Sequence, residues 1–228
     1  MKIFVVIPLF NEEKHIVKVL NDLSPHKLPV VVVDDGSADS SKLKVVTLCD
    51  KSLRLKNVTL LEHKINLGKG AAMKTGADYA FSHGADAVVF MDSDGQHNPE
   101  DLVKFIRKLE EKKYGAIFGS RNLNLGAPLV RYLGNKFASV LVSSLFGVYV
   151  SDILSGFRAV TKNAYEKIGW ESSGYGVETE MVIRTGKARV KFCEVPVEMI
   201  YIDDVKGVTL LDAFGIFGDV IKWKLSLK

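Results

Sequence analysis

Residues 87–102 run Ala-Val-Val-Phe-Met-Asp-Ser-Asp-Gly-Gln-His-Asn-Pro-Glu-Asp-Leu. The apolar run Ala87–Met91 predicts a short buried strand, and Asp92-Ser93-Asp94-Gly95 stops it. Asn98-Pro99-Glu100 then starts a helix to about Lys112, with Asn as N-cap and Pro at the first helical position. The same grammar repeats upstream. Ile3–Ile7 is an apolar run ended by Pro8, after which Asn11 is expected to cap a helix reaching about Asp22. Val30–Val33 ends at Asp34-Asp35-Gly36-Ser37, residues 39–50 read as helix, and Val58–Leu61 reads as a third strand. Gly68-Lys69-Gly70 opens a helix to about His83, and Ala116–Gly119 is a fifth strand. Near-continuous apolar strands alternating with helices argue an α/β fold whose sheet is covered on both faces. Ligands of such sheets gather at the carboxyl ends of the strands. Here the ends of strands one, two, four and five carry PLFNEE, DDGS, DSDGQ and GSR, four polar clusters on one edge.

The second half is less regular. Residues 129–149 predict a helix, Asp152-Ile-Leu-Ser-Gly-Phe-Arg158 precedes another near 162–168, and 176–186 predict a third. Residues 190–202 alternate like one or two strands, with Pro196 marking an edge or a bulge. From Val208 onward Leu210, Leu211, Phe214, Phe217, Val220, Ile221 and Leu225 recur at helical spacing. The chain is therefore expected to hold one domain over residues 1–203, with an amphipathic C-terminal helix over 204–228.

Composition narrows the class of protein. The chain has 228 residues, 47% of them hydrophobic and 25% charged, which excludes wholesale disorder and collagen. A net charge of +4 is too weak a bias to imply nucleic acid. Cys49 and Cys193 lie far apart in no metal-binding or disulfide spacing, as expected in a reducing compartment. Asn11-Glu12-Glu13 interrupts the apolar N-terminus before a signal-peptide core forms. The longest uncharged apolar run, Phe137–Val150, has fourteen residues, short of the roughly 18 that a bilayer span needs.

Common nucleotide motifs are missing. Strand one is followed by Pro8-Leu9-Phe10-Asn11 rather than a glycine-rich turn, and Gly68-Lys69-Gly70-Ala71-Ala72-Met73 fails the dinucleotide pattern at its sixth position. Neither a P-loop nor a nucleophile elbow occurs. Asp92 and Asp94, at i and i+2 on a turn past a buried strand, can converge on one hard cation. Mg2+ or Mn2+ takes such oxygen ligands together with substrate phosphate oxygens, and the Gln96 amide oxygen can add a third. A polar turn ahead of an N-cap would by itself account for the same residue types, and His97 reads as a capping or packing residue. Asp34-Asp35-Gly36-Ser37 has the composition of a β-turn. Two adjacent carboxylates repel, however, and one of them can accept an N–H of a nucleobase.

PLFNEE, VVVDDGSAD, NLGKGAAM, MDSDGQHNPEDL, GSR and SGFRAV occur in this order. The set resembles the family-2 glycosyltransferases of the GT-A fold, and within them the dolichyl-phosphate (polyprenyl-phosphate) hexose synthase branch, over residues 1–203. The resemblance implies a Rossmann-like, mostly parallel central sheet flanked by helices. It implies inverting transfer of a hexose from GDP-mannose or UDP-glucose to a polyprenyl or dolichyl phosphate, with Mg2+ or Mn2+. Carried over by position, Pro8, Phe10 and Glu12 begin the nucleoside site, Asp35 reads the base while Asp34 is structural, and Lys69 is the basic residue near the donor. Asp92 and Asp94 match the acidic pair, with Asp94 and Gln96 on the metal. Arg121, Arg131 and Arg158 resemble the arginines that gather donor and acceptor phosphates. Glu178 and Glu180 fall in a GxExE segment without an assigned role. Many relatives carry an arginine after the EVPV segment; here Lys206 stands nearby, a point charge and not a bidentate fork.

An anionic acceptor phosphate needs positioning and no strong base, whereas a hydroxyl acceptor needs a base, for which Asp152 is the candidate. Phe137–Val150 and the C-terminal helix, with Lys222, Lys224 and Lys228, have the makings of interfacial helices. The protein is expected to be cytoplasmic and peripheral at the membrane face, alone or with a membrane protein partner. Two other functions stay open: a family-2 transferase acting on a saccharide or other hydroxyl acceptor, and a non-catalytic nucleotide-sugar binding protein.

Overall fold

The structure is a computed structural model that describes residues 1–51, 55–121, 129–200 and 210–226, with the side chains of 51, 129–132, 210–214, 216–217 and 226 excepted. Among the described residues seven strands form one sheet: β1 (Ile3–Leu9), β2 (Val30–Asp34), β3 (Val58–Glu62), β4 (Ala87–Phe90), β5 (Ala116–Arg121), β6 (Arg158–Thr161) and β7 (Phe192–Val197). Their order is β3-β2-β1-β4-β6-β5-β7. All pairings are parallel except those of β6, which runs antiparallel to both β4 and β5. Helices α1 (Ile16–Leu23), α2 (Ser41–Lys51) and α4 (Leu102–Glu110) cover one face. The other face is covered by α3 (Lys69–Ser82), α5 (Leu129–Phe146), α6 (Lys162–Ile168), α7 (Val177–Lys187) and α8 (Leu210–Ser226).

The strand pleat sorts side chains between the two layers. In β1, Ile3, Val5, Ile7 and Leu9 join the core under α1 and α4, while Phe4 and Val6 join the core under α3. Both faces are buried, so the strands read as continuous apolar runs rather than alternating ones.

Three expectations shift. β1 continues through Pro8, which pairs in register with Val33, so the proline does not end the strand. Asn11 does not cap α1, which begins at Ile16 with His15 as its N-cap. Asn11 takes a left-handed backbone (φ 52°) and its side-chain oxygen accepts the Ala38 N–H, tying the first strand end to the second. The segment before α6, read only as a link, supplies β6. Because β6 enters the sheet reversed, its first residues lie at the edge where the parallel strands end, with Arg158 paired to Phe90. Pro196 does sit on an edge strand, as its composition suggested.

The terminal helix α8 is docked on the domain. Val220 and Trp223 are buried in the core shared with α5 and α7, while Ile221 and Leu225 face outward. The apolar run 137–150 is likewise divided: Val142, Val148 and Val150 are buried, and Phe137, Val140 and Tyr149 are exposed.

Phe157 ties the core to the polar edge. Its ring stacks on Phe105 at 4.3 Å and on His97 at 4.9 Å. Phe157→Ala is expected to lower unfolding free energy by about 3–5 kcal/mol in denaturant titration, the usual range for a fully buried aromatic.

Candidate active site

The acidic turn follows β4. Asp92 Oδ1 lies 2.7 Å from Lys69 Nζ, at the first residue of α3, and its backbone N–H donates to His97 Nδ1 at 3.1 Å. His97 therefore carries its proton on Nε2, 3.7 Å from Asp92 Oδ2. Burial pushes the imidazole below its ordinary range, which fits the packing role read from the sequence. Burial also works against the charge on Asp92, but Lys69 overrides it and holds the carboxyl down at about 2. Asp94 behaves oppositely: burial first and then the Asp92 charge push its carboxyl up. Two carboxylates of which one resists ionisation are a place where a divalent cation is welcome. Asp94 Oδ1 accepts the Gln96 N–H at 2.9 Å, and Gln96 itself is buried two residues on in the same turn. Among the described residues no three His, Cys, Asp or Glu side chains form a metal cage. Asp92, Asp94 and Gln96 thus fit a hard cation that completes its shell with substrate oxygens.

Close packing shapes this turn. A Cβ on Gly156 would lie 2.3 Å from Asp92 Oδ2 and 2.8 Å from its Cγ, so the glycine before Phe157 leaves room for the carboxylate. A Cβ on Gly70 would lie 2.0 Å from the Ser172 carbonyl oxygen, so the start of α3 lies directly against residues 172–173. Glu180 fixes that segment by accepting the N–H groups of Glu171 and Ser172 and the Nε of Arg184. Burial opposes its charge, yet these donors keep its carboxyl below the usual range.

At the end of β1, Pro8 is buried within the strand, Phe10 is exposed beyond it, and Glu12 is buried with its N–H on Ser41 Oγ at 2.8 Å. Asp35 accepts from His63 and Leu67 N–H on Oδ1 and from Gly68 N–H on Oδ2. It holds the glycine loop before α3 against the second strand end. Asp34, expected to be structural only, keeps Oδ1 buried without a hydrogen-bond partner among the described residues.

The arginines separate. Arg121, at the end of β5, forks onto Asp152, with Nε to Oδ2 at 2.5 Å and Nη2 to Oδ1 at 2.8 Å. Its own N–H adds a third bond to Oδ2 at 3.1 Å, so Asp152, 1% exposed, is committed and not an unengaged base. Arg158 corrects the expectation that it gathers phosphates. It is wholly buried over the Phe118 ring and donates to the carbonyls of Ser155, Ile153 and Glu178. Arg131 lies in the first turn of α5 and its side chain is outside the described residues, as is Lys206.

A partner of Lys69 went unassigned in the sequence. Glu178, in the first turn of α7, places Oε1 2.7 Å from Lys69 Nζ. Two acidic residues two apart at a helix start were its only signal.

A sheet of this order with an acidic turn at its polar edge is the frame of a nucleotide-sugar transferase. The chain belongs to glycosyl transferase family 2, whose sequence profile matches residues 4–169, and it is a glycosyltransferase of the GT-A fold. It is 32% identical to the UDP-N-acetylglucosamine–dolichyl-phosphate N-acetylglucosaminyltransferase of Methanococcus voltae, over 98% of this chain and 96% of the relative. It is 27% identical to the undecaprenyl-phosphate mannosyltransferase of Micrococcus luteus, over 100% of this chain and 96% of the relative. Among solved structures, glucosyl-3-phosphoglycerate synthase from Mycobacterium tuberculosis with Mn2+, UDP and phosphoglyceric acid superposes with a TM-score of 0.73. That match is 22% identical and covers 99% of this chain and 78% of the other.

Gly156→Ala should leave the protein folded, with an overpacking cost of about 1–3 kcal/mol, and cut glycosyl transfer at least tenfold through the displaced Asp92 carboxylate. Glu180 gives a pH test with a fixed sign. Its folded carboxyl is depressed, so its stabilisation is present above the unfolded value and lost as pH falls through the folded one. Glu180→Gln should flatten the melting-temperature profile in that acidic window.

Proposed function

We propose that this protein transfers a hexose from a nucleoside-diphosphate sugar, GDP-mannose or UDP-glucose, to a polyprenyl or dolichyl phosphate, with inversion at the anomeric carbon. The observation that carries the choice of acceptor is the Arg121–Asp152 fork. With both Asp152 oxygens taken by one guanidinium, the candidate base for a hydroxyl acceptor is occupied. An acceptor that arrives as an anion needs no base. The relatives named for dolichyl and undecaprenyl phosphate support the same acceptor class.

Asp92, Asp94 and Gln96 would hold Mg2+ or Mn2+, whose charge stabilises the leaving nucleoside diphosphate. Lys69 places a fixed positive charge beside that turn, and Asp92 and Glu178 hold it charged against its burial. Pro8, Phe10 and Glu12 border the nucleoside, and Asp35 is the carboxylate that reads the base. Arg121, oriented by Asp152, and Arg131 are the arginines assigned to the acceptor phosphate. Arg158 acts at a distance by shaping the loop that seats Asp92 and Asp152.

The acceptor lipid brings the protein to the cytoplasmic face of a membrane. Among the described residues no helix is long and apolar enough to cross one. α5 exposes Leu133, Phe137 and Val140 at 55–63%, spaced on one helical face, and α8 adds Ile221 and Leu225. Lys136, Lys222 and Lys224 lie among them, the arrangement of a surface that rests on anionic lipid. Residues 1–203 carry the chemistry, and the terminal helix of 204–228 joins α5 in the membrane-facing surface.

Incubation with radiolabelled UDP- and GDP-sugars, polyprenyl phosphate and Mg2+ or Mn2+ should yield a chloroform-extractable labelled lipid. Label should vanish on chelation with EDTA and in Asp94→Ala. Label found only in a water-soluble saccharide would assign the protein to hydroxyl acceptors instead.

A further inference from the structure

The GxExE segment contains two carboxylates with different duties. Glu180 is accounted for by the backbone it braces. Glu178 is 4% exposed, and the chemistry proposed above uses it only as a counter-charge of Lys69. A carboxylate in such a place is costly unless paired. Its partner is Lys69 Nζ, which stands 2.7 Å from Glu178 Oε1 and 2.7 Å from Asp92 Oδ1. One ammonium is therefore shared equally between a metal-site aspartate and a glutamate brought from α7. The glutamate is itself held in place, since its backbone carbonyl accepts Arg158 Nη1 at 2.7 Å.

Sharing has a consequence for Asp92. An ammonium with a single carboxylate partner would pair with it one to one, and a cation seeking Asp92 Oδ1 would compete with a lysine. With a second acceptor at the same distance, the ammonium keeps a partner when Asp92 turns to a metal. The charge count points the same way. With Arg121 set against Asp152, the three carboxylates Asp92, Asp94 and Glu178 stand against the cations Lys69 and Arg158. Removing Glu178 both subtracts a negative charge near the cation and leaves Lys69 to Asp92 alone.

We propose that Glu178 is a positioning residue of the donor site, holding Lys69 beside the diphosphate position while leaving Asp92 to the divalent metal. This rests on the assignment of Asp92 and Asp94 to the metal and donor. Because Glu178 acts through Lys69 as well as by its own charge, its loss and the loss of Lys69 are not additive.

Binding of Mn2+ alone, followed by the EPR signal of the free ion, tests this on the full chain, with folding checked by circular dichroism. Mn2+ affinity should fall on the order of tenfold in Glu178→Gln, the scale of one nearby charge in a partly buried site. Glu178→Asp should recover part of it. The charge-matched double variant Lys69→Met/Glu178→Gln should return to within about threefold of the wild type, because both the competitor and its holder are gone. UDP and GDP binding in the presence of Mn2+ should nevertheless stay weak in that double variant, which lacks the cation facing the diphosphate.

A brace of purely structural kind makes the double variant at least as poor as the single one, and that result would overturn the proposal. So would a folded Glu178→Gln that binds Mn2+ like the wild type. Should Glu178→Gln fail to fold, the double variant decides, since its loss of Mn2+ binding refutes the proposal and its retention with weak nucleotide binding supports it. Equal Mn2+ binding by wild type and Asp94→Ala has another meaning: the metal assignment itself fails, and the role of Glu178 with it.

Discussion

A single buried guanidinium holds the active edge together. Arg158 sits at the start of β6 with no exposed surface, in register with Phe90, and donates to the carbonyls of Ile153, Ser155 and Glu178. Burial lowers its pKa, and removing such a charge from water costs several kcal/mol unless its donors are satisfied. Backbone carbonyls and the Phe118 ring face, 5.2 Å away, meet that demand. The 152–157 loop and the first turn of α7 can take only the positions those carbonyls require. From that loop Asp152 reaches Arg121 and Gly156 makes room for Asp92; from α7 Glu178 reaches Lys69.

Much of this was legible in the residues, and the limits follow from physics. Strand ends are readable because a strand buried on both faces is uniformly apolar and stops at a polar turn. The acidic pair was visible for the same reason, whereas the glycine before Phe157 shows its role only in its contact with Asp92. Direction was not visible. The arginine of SGFRAV looks identical in sequence whether it points to solvent or to the core, and only the reversed entry of β6 turns it inward. Asn11 had the chemistry of a helix cap and spends it on Ala38, 27 residues away, since tertiary hydrogen bonds outbid local ones. The Glu178–Lys69 contact joins elements more than a hundred residues apart, beyond the reach of any local pattern.

The electrostatics of the edge follow one rule. Each carboxylate there is either answered inside the protein or left in want. Asp35 has three donors, Asp152 an entire guanidinium and Glu180 two backbone amides with an arginine. Asp94 has one amide, and Asp34 keeps one oxygen bare among the described residues. The unanswered groups lie at the ends of β4 and β2.

The last strand has a bearing on the behaviour of the molecule in a crowded solution. β7 forms the border of the sheet, where unpaired backbone groups invite a strand from another molecule. Pro196 presents no N–H to such a visitor, and its carbonyl oxygen is already taken by Lys104 Nζ at 2.9 Å. The border is thus closed in its middle to edge-to-edge growth, and the sheet resists adding an eighth strand from a neighbouring copy during expression or concentration.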